Sequence, residues 1–308
     1  MYYYLLVFIA ITLFGASFFT NGRYQQRVGA SFTSSMVLSA GVGLFGCIGL
    51  LCFSGFRLSA TPFTVLMALL FAVSGLCLSL CTVFSLERAS LSLFSAFSMI
   101  GGMILPSVVG MIFFGEKLTL CKGICYVLTV IGLSLTIKRD SGKKAFLSYV
   151  GVFFFNGSCA AISTVFSKAD FEKAGSSDYS ILSAAFRFVL AVIVLPAAVY
   201  LARKKAASAG TEAPPSNVLR RYISPAVIIL LALGGILNTV GNYLLPIAMI
   251  DGGLDGSVVY PMITGGVMII STALGFLNKR KPTLREILAV AVCTLGLLVL
   301  VIPPLVSA

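Results

Sequence analysis

Long hydrophobic stretches separated by short charged segments run through all 308 residues. Most of these stretches contain the roughly 20 apolar residues that a helix needs to cross a bilayer core of about 30 Å. A segment inside a bilayer must satisfy its own backbone hydrogen bonds, so the pattern predicts helices. The predicted spans are Tyr2–Thr20, Ser31–Phe53, Pro62–Leu86, Leu91–Phe114, Thr119–Ile137, Phe146–Ser167, Ser180–Ala202, Tyr222–Ile250, Gly256–Leu277 and Ile287–Val306. The sequence therefore predicts an all-α integral membrane protein with ten transmembrane helices.

Two segments, one in each half of the chain, share a spacing of glycine, serine, lysine and threonine. The first contains Gly101-Gly102, Ser107, Lys117-Leu118-Thr119-Leu120 and Gly132-Leu133, and the second contains Gly265-Gly266, Ser271, Lys281-Pro282-Thr283-Leu284 and Gly296-Leu297. Each identity recurs at an offset of 164 residues (265 minus 101). We interpret this as an internal duplication, with five-helix repeats at 1–139 and 146–306 forming one membrane unit around a central cavity.

Composition supports a membrane protein, and the distribution of charge predicts its orientation. Hydrophobic residues make up 58% and charged residues 10% of the chain, against about 25% charged residues in soluble domains. The net charge of +12 would suggest nucleic acid binding in a soluble protein. Here 16 of the 22 basic residues fall in the odd-numbered loops, between spans 1 and 2, 3 and 4, and so on, and five in the even-numbered loops. The positive-inside rule predicts cytoplasmic odd loops and both termini outside. We therefore attribute the positive charge to topology, and predict a location in the cell (plasma or inner) membrane and no nucleic acid partner.

Five polar residues inside the predicted spans are candidates for binding a substrate, because polar groups within a membrane are costly and often functional. They are Arg187, Asn238, Asn242, Tyr260 and Asn156. The first four are predicted at similar depth in the outer half of the bilayer, and Asn156 near its middle. Structural roles remain open for each: a snorkelling arginine, interhelical amide hydrogen bonds and an interfacial tyrosine.

Glycine pairs at matching places in the two repeats, and prolines inside or at the ends of spans, are candidates for hinges that line the cavity. Close helix packing through small residues is the alternative, and both can hold together. The candidate residues are Gly101, Gly102, Gly265, Gly266, Pro106 and Pro261.

Groups that catalyse reactions or bind metals are scarce in the predicted spans. The chain has no histidine, and all ten acidic residues fall at span ends or in loops. General acid–base catalysis therefore has few candidates, and we predict no enzyme activity, no metal and no cofactor. The absence of a carboxylate inside the spans also disfavours proton-coupled exchange of cations.

One motif connects the chain to a known family. The run Phe113-Phe114-Gly115-Glu116-Lys117-Leu118-Thr119, followed by an apolar span with Gly132-Leu133, resembles the junction of helices four and five in the drug/metabolite transporter superfamily, and more closely in its ten-helix EamA-like branch. The resemblance covers nearly the whole chain. The second repeat departs from it, because Asn278-Lys279-Arg280-Lys281-Pro282-Thr283 lacks the Gly-Glu pair. Family members commonly carry a basic residue early in helices two and seven; Arg187 matches the second of these, and span two has none.

The resemblance implies a basket of helices that moves metabolites, often by export. Together with the single intramembrane arginine, it predicts a secondary transporter for a small polar metabolite, amino-acid-like and either neutral or anionic. A polar-groove channel or a lipid scramblase is the alternative, and a cationic drug exporter or a sugar-uptake permease is a weaker one. The predicted partners are this small-molecule substrate and the lipid bilayer, and a homodimer is left open.

Overall fold

Helices account for the regular structure of the protein. A computed structural model describes residues 2–29, 31–86, 91–135, 143–208, 222, 224–277 and 284–306. These residues contain helices and no strand, which confirms the all-α prediction. The helices are α1 (Tyr2–Val28), α2 (Phe32–Phe53), α3 (Pro62–Leu86), α4 (Leu91–Phe114), α5 (Leu120–Leu135), α6 (Lys143–Lys168), α7 (Ser176–Ser208), α8 (Pro225–Ile250), α9 (Gly256–Leu277) and α10 (Leu284–Val306).

Among the described residues, seven helical segments are long and apolar enough to cross a membrane. They are Tyr2–Val28, Phe32–Phe53, Pro62–Cys81, Phe97–Phe114, Tyr149–Lys168, Ser176–Ala202 and Pro225–Ile250. Shorter apolar helical stretches occur at Leu120–Gly132 and Ile287–Leu300. Large apolar side chains such as Phe8, Ile112 and Leu120 point outward, as a lipid-facing surface requires. The chain is thus a multi-pass membrane protein by length and composition, and a count of ten spans stays a prediction.

Several helices extend beyond the apolar stretches that predicted them. Helix α1 continues to Val28, eight residues past the predicted end at Thr20, and its buried Tyr24 donates a hydrogen bond to the Ser34 carbonyl oxygen at 2.9 Å. Helix α7 begins at Ser176 instead of Ser180, where Asp178 accepts a hydrogen bond from the Gly175 amide at 3.2 Å. Hydropathy marks the part of a helix inside the bilayer, whereas polar contacts and caps determine where the helix ends.

The most extensive helix pairings join the first half of the chain to the second. Helix α1 packs along α8 and α9, and α6 packs along α3 and α4. Helix α2 packs against α7 and α8, α3 also contacts α7, α4 contacts α9, and α5 pairs with α10. The two halves of the sequence are therefore interleaved in space, and neither half buries its helices on its own.

The even-numbered connections gather at one end of the bundle, which we call the even-loop end. Ion pairs join the α4–α5, α6–α7 and α8–α9 connections. The Ala174 amide donates to the Thr64 hydroxyl at the start of α3, 2.9 Å away, which brings the α2–α3 connection to the same end. The first turn of α1 also lies here, because a Cβ on Gly252 would overlap the Tyr3 ring. The start of α1 and the even-numbered connections therefore lie at the same end of the bundle.

This arrangement allows a sharp test of orientation in intact cells. In a variant without native cysteines, we expect an impermeant maleimide to label single cysteines placed at Glu172 and Asp251, both exposed at the even-loop end. A cysteine at Ser208, at the far end of α7, should react only after permeabilisation. Labelling at 208 with none at 172 or 251 would reverse the orientation and keep the fold. Opposite results at 172 and 251 would contradict the fold itself.

Candidate functional site

A cavity lies between α2, α3, α7 and α8, and the empty space in it and at its opening together amounts to about 350 Å³. Polar side chains come from α7 and α8, and α2 and α3 contribute mainly apolar surface. The lining residues are Val42, Gly43, Phe71, Tyr179, Ser180, Ser183, Ala184, Arg187, Asn238, Thr239 and Asn242.

Arg187 is the basic residue of this lining. It lies eleven residues after the start of α7, about 16 Å along the helix axis at 1.5 Å per residue. The predicted helix start at Ser180 placed Arg187 less deeply, seven residues into the helix (187 minus 180). Within the described residues no carboxylate pairs with Arg187, and its buried Nε has no hydrogen-bond partner. Arg187 is only partly exposed, and a charge held largely out of water with no counter-charge is costly, so the cavity holds a positive charge that a ligand can neutralise.

The other polar groups of the lining are hydroxyls and amides, which can donate hydrogen bonds to a ligand as well as accept them. The Asn242 side-chain amide donates to the backbone oxygen and the Oδ1 of Asn238, at 2.8 and 3.2 Å, leaving the Nδ2 of Asn238 available. The buried hydroxyls of Ser180 and Ser183 have no hydrogen-bond partner. Ser180, Ser183 and Arg187 recur at helical spacing and share one face of α7. An anionic ligand can accept hydrogen bonds from this face.

Tyr260 lies beside the cavity without belonging to its lining. It is buried on α9, close to Ser163 and Tyr179, and its hydroxyl has no hydrogen-bond partner. Tyr179 lines the cavity and stacks on Phe166 at a ring-centroid distance of 4.1 Å. Phe71 meets the Tyr179 ring edge-on at 6.0 Å. We call the rings of Tyr179, Phe166 and Phe71 the aromatic cluster. They lie on the side of the cavity that faces the even-loop end.

The structure places Asn156 in a helix contact away from the cavity. Its side-chain amide donates to the Ser98 carbonyl oxygen on α4 at 2.6 Å, and a Cβ on Gly102 would crowd the same amide. The hydrogen bond ties α6 to α4, which is the interhelical role that the sequence left open for it.

The predicted hinge glycines lie at close helix contacts. A Cβ on Gly101 would overlap the Phe153 carbonyl oxygen, one on Gly265 would press on Leu297, and one on Gly266 would overlap Ile11. Helices α4 and α9 continue without a break through Pro106 and Pro261. In this conformation the glycines permit close packing, and a hinge role stays a prediction.

A cluster of four charged side chains lies at the even-loop end, and we call it the charge cluster. Lys168 lies 2.9 Å from Glu116 and 2.8 Å from Asp255, and Lys122 lies 2.9 Å from Asp255. Burial alone would raise the pKa of Asp255, but hydrogen bonds and charges from Lys168 and Lys122 hold it below its ordinary value. Two acids and two bases thus neutralise one another where α4, α5, α6 and α9 meet.

Glu116 also caps a helix from the other half of the chain. Its two carboxylate oxygens accept hydrogen bonds from the Gly256 and Ser257 amides, each at 3.0 Å, at the first turn of α9. Carboxylates are favourable there because a helix N-terminus carries partial positive charge. Gly115 ends α4 with a φ of 65°, a left-handed conformation that suits glycine, and the chain turns back so that Glu116 reaches α9.

Sequence analysis missed the serines of the cavity and the partners of Glu116. The helical spacing of Ser180, Ser183 and Arg187 was a signal for the serines. Glu116 was singled out as part of a motif, but its bonds to Gly256 and Ser257 join residues far apart in the chain, and no local pattern indicates them.

Comparisons with known proteins bear on the fold alone. No family model matches this chain, and no curated protein matches it. Among 28 matching chains of solved structures, one crystal structure, described only as that of a protein, aligns with 97% of this chain and 98% of its own length. Its TM-score is 0.69 and its sequence identity is 16%. At this identity the match shows that the whole chain adopts a fold seen in a solved structure, and function must come from the site.

Proposed function

We propose that this protein is a secondary transporter that carries a small polar metabolite across the membrane by alternating access, with export as the expected direction. The observation that carries the proposal is the unpaired Arg187 inside a cavity lined by helices of both halves. An uncompensated charge at this depth costs stability. Binding a ligand that supplies the missing charge and hydrogen bonds offsets this cost.

The helix pairings support an arrangement of two related five-helix repeats. Adding five to the helix numbers turns the α1–α8, α1–α9 and α2–α8 pairings into α6–α3, α6–α4 and α7–α3, all of which occur. The pairs α2–α7, α4–α9 and α5–α10 map onto themselves. The cavity helices α2 and α3 map onto α7 and α8, so the cavity lies where the two repeats meet. Substrate sites of carriers built from repeats are found at such interfaces.

The same pairings bear on which helices move during alternating access. Helix α1 with α8 and α9 forms one packed group, and α6 with α3 and α4 forms another. Each group contains helices from both halves, so one whole half cannot rock against the other without separating well-packed surfaces. We propose that these two groups move relative to each other around α2 and α7. The charge cluster, which joins Glu116 and Lys168 of one group to Asp255 beside α9 of the other, would separate when the even-loop end opens.

The motif around Glu116 supports membership of the drug/metabolite transporter superfamily, in its EamA-like branch, as part of the same proposal. The family's basic residue in helix seven corresponds to Arg187, which lines the cavity. We propose a carrier without enzymatic activity, because the cavity lining offers no histidine or carboxylate for general base catalysis.

Flux measurements test the proposal against the alternative of a channel or scramblase. In vesicles containing the purified protein, uptake should saturate with substrate concentration, and unlabelled substrate on the opposite side should accelerate uptake of labelled substrate. Both results follow from a site that must reorient with its cargo. Vesicles without protein measure the leak. Flux that rises linearly with concentration, together with single-channel currents or lipid exchange between leaflets, would contradict a carrier.

A further inference from the structure

We propose that the cavity binds small organic monoanions of the hydroxy acid type in preference to zwitterions, neutral amides and dianions. This inference rests on the proposed function and narrows its substrate class. The carboxylate would bind the Arg187 guanidinium with help from the Ser183 hydroxyl. Asn238 and Asn242 would bind an uncharged polar group of the same ligand.

The charge of the cavity lining carries the first step. Arg187 supplies one positive charge, and the lining contains no other ionised side chain. A monoanion makes the occupied cavity neutral, whereas a zwitterion leaves the net charge unchanged. A dianion adds a second negative charge with no second cation to meet it. Uncompensated charge is costly in an interior of low dielectric constant, so a ligand charge of minus one is favoured.

The balance of donors and acceptors carries the second step. The unpartnered groups are the Nε of Arg187 and the hydroxyls of Ser180 and Ser183, and Asn238 adds free amide hydrogens. A carboxylate offers several acceptor positions to such donors, and a guanidinium can bind it through two parallel hydrogen bonds. An ammonium group would need acceptors and a counter-charge. Among side chains of the lining, the amide and hydroxyl oxygens are its acceptors, and no carboxylate lies among them.

Matched ligands separate these classes. Lactate, alanine and lactamide share one carbon skeleton and differ only in whether they carry a hydroxyl with a carboxylate, an ammonium with a carboxylate, or a hydroxyl with an amide. Phenyllactate, phenylalanine and phenyllactamide repeat the comparison on a larger skeleton, and malonate serves as a dianion. Thermal unfolding of the purified protein, measured at neutral pH against ligand concentration, reports binding because a ligand of the native state raises its melting temperature.

We expect the hydroxy acid of at least one skeleton to bind at least about tenfold more tightly than its amino acid and amide partners, the size expected for losing a hydrogen bond to a charged group. Malonate should bind more weakly than that hydroxy acid. Arg187→Gln should lose the ligand-dependent shift, and Ser183→Ala should weaken it. Arg57→Gln, at an exposed position of the α2–α3 connection, should keep it.

Several results would overturn the inference. An amino acid or amide that binds as tightly as the matching hydroxy acid would do so, as would a hydroxy acid shift that persists in Arg187→Gln. An absence of shift for both hydroxy acids would also overturn it. The proposed function fails separately. Saturable counterflow of alanine but not of lactate would support the proposed carrier function and contradict the inference about its substrate. Linear flux of a tightly bound hydroxy acid would support the inference and contradict the carrier function.

Discussion

Replacing Arg187 with leucine is expected to abolish transport while leaving the protein folded and at least as stable as the wild type. The guanidinium is unpaired among the described residues, and its Nε is buried without a hydrogen bond. Removing a charge that is partly buried and has no partner relieves a desolvation cost. Transport fails because the ligand loses its counter-charge in the cavity. A gain or retention of stability with loss of function is typical of a residue kept for binding.

Lysine at position 187 should give an intermediate result. It keeps the positive charge but loses the planar fork that can hold a carboxylate through two hydrogen bonds. We expect Arg187→Lys to retain transport with an apparent affinity about tenfold weaker or more, the size expected for one hydrogen bond to a charged group. A snorkelling arginine predicts otherwise, because lysine would then behave as wild type and leucine would lower stability more than substrate affinity.

Folded yield, melting temperature and transport should be measured together for both variants. Arg57→Leu is the matched control, because it removes an exposed basic side chain from a connection outside the cavity, and it should transport normally. Wild-type transport by well-folded Arg187→Leu would remove Arg187 from the site. A large loss of stability in that variant would show that the guanidinium has a structural partner.

Hydropathy was sufficient to predict the helices because lipid imposes a simple requirement on length and polarity. It could not give the rotation of each helix about its axis, and rotation decides which polar residues meet. Asn156 and Asn242 look alike in sequence, yet the first bonds the Ser98 carbonyl on α4 and the second lines the cavity beside Asn238. Helix packing separates these two roles, and packing depends on contacts between distant parts of the chain.

The charge cluster shows a related limit of sequence analysis. All four of its residues fall at span ends, where charged side chains are usually solvated and contribute little. The fold instead brings them together and buries Glu116, which is 7% exposed. The repeat offered no guide to this role, because the second copy of the motif lacks the Gly-Glu pair. The contact is asymmetric: Glu116 of the first half caps α9 of the second.

Replacing Glu116 with alanine is expected to destabilise the protein by about 3 kcal/mol or more, the size expected for breaking a buried ion pair. The change removes both acceptors of the Gly256 and Ser257 amides and one of the two acidic partners of Lys168. Glu116→Gln should cost less than Glu116→Ala, because an amide oxygen still accepts one hydrogen bond at the start of α9, although this variant also loses the charge that faces Lys168. Reversible unfolding in detergent, or melting temperature where unfolding is irreversible, gives this order.

Glu172→Gln is the matched control for this series, because Glu172 is exposed at the same end of the bundle and its replacement should leave stability unchanged. Equal stability of Glu116→Ala and wild type would show that the cluster does not hold α9 in place. Transport by Glu116→Gln separates two roles of the cluster. If the cluster only fastens α9, transport should decline in proportion to folded protein. If the cluster also closes the even-loop end, Glu116→Gln weakens one of the contacts that must separate for this end to open. A cysteine placed at the cavity residue Ser180 should then react faster with an impermeant maleimide in Glu116→Gln than in the parent protein.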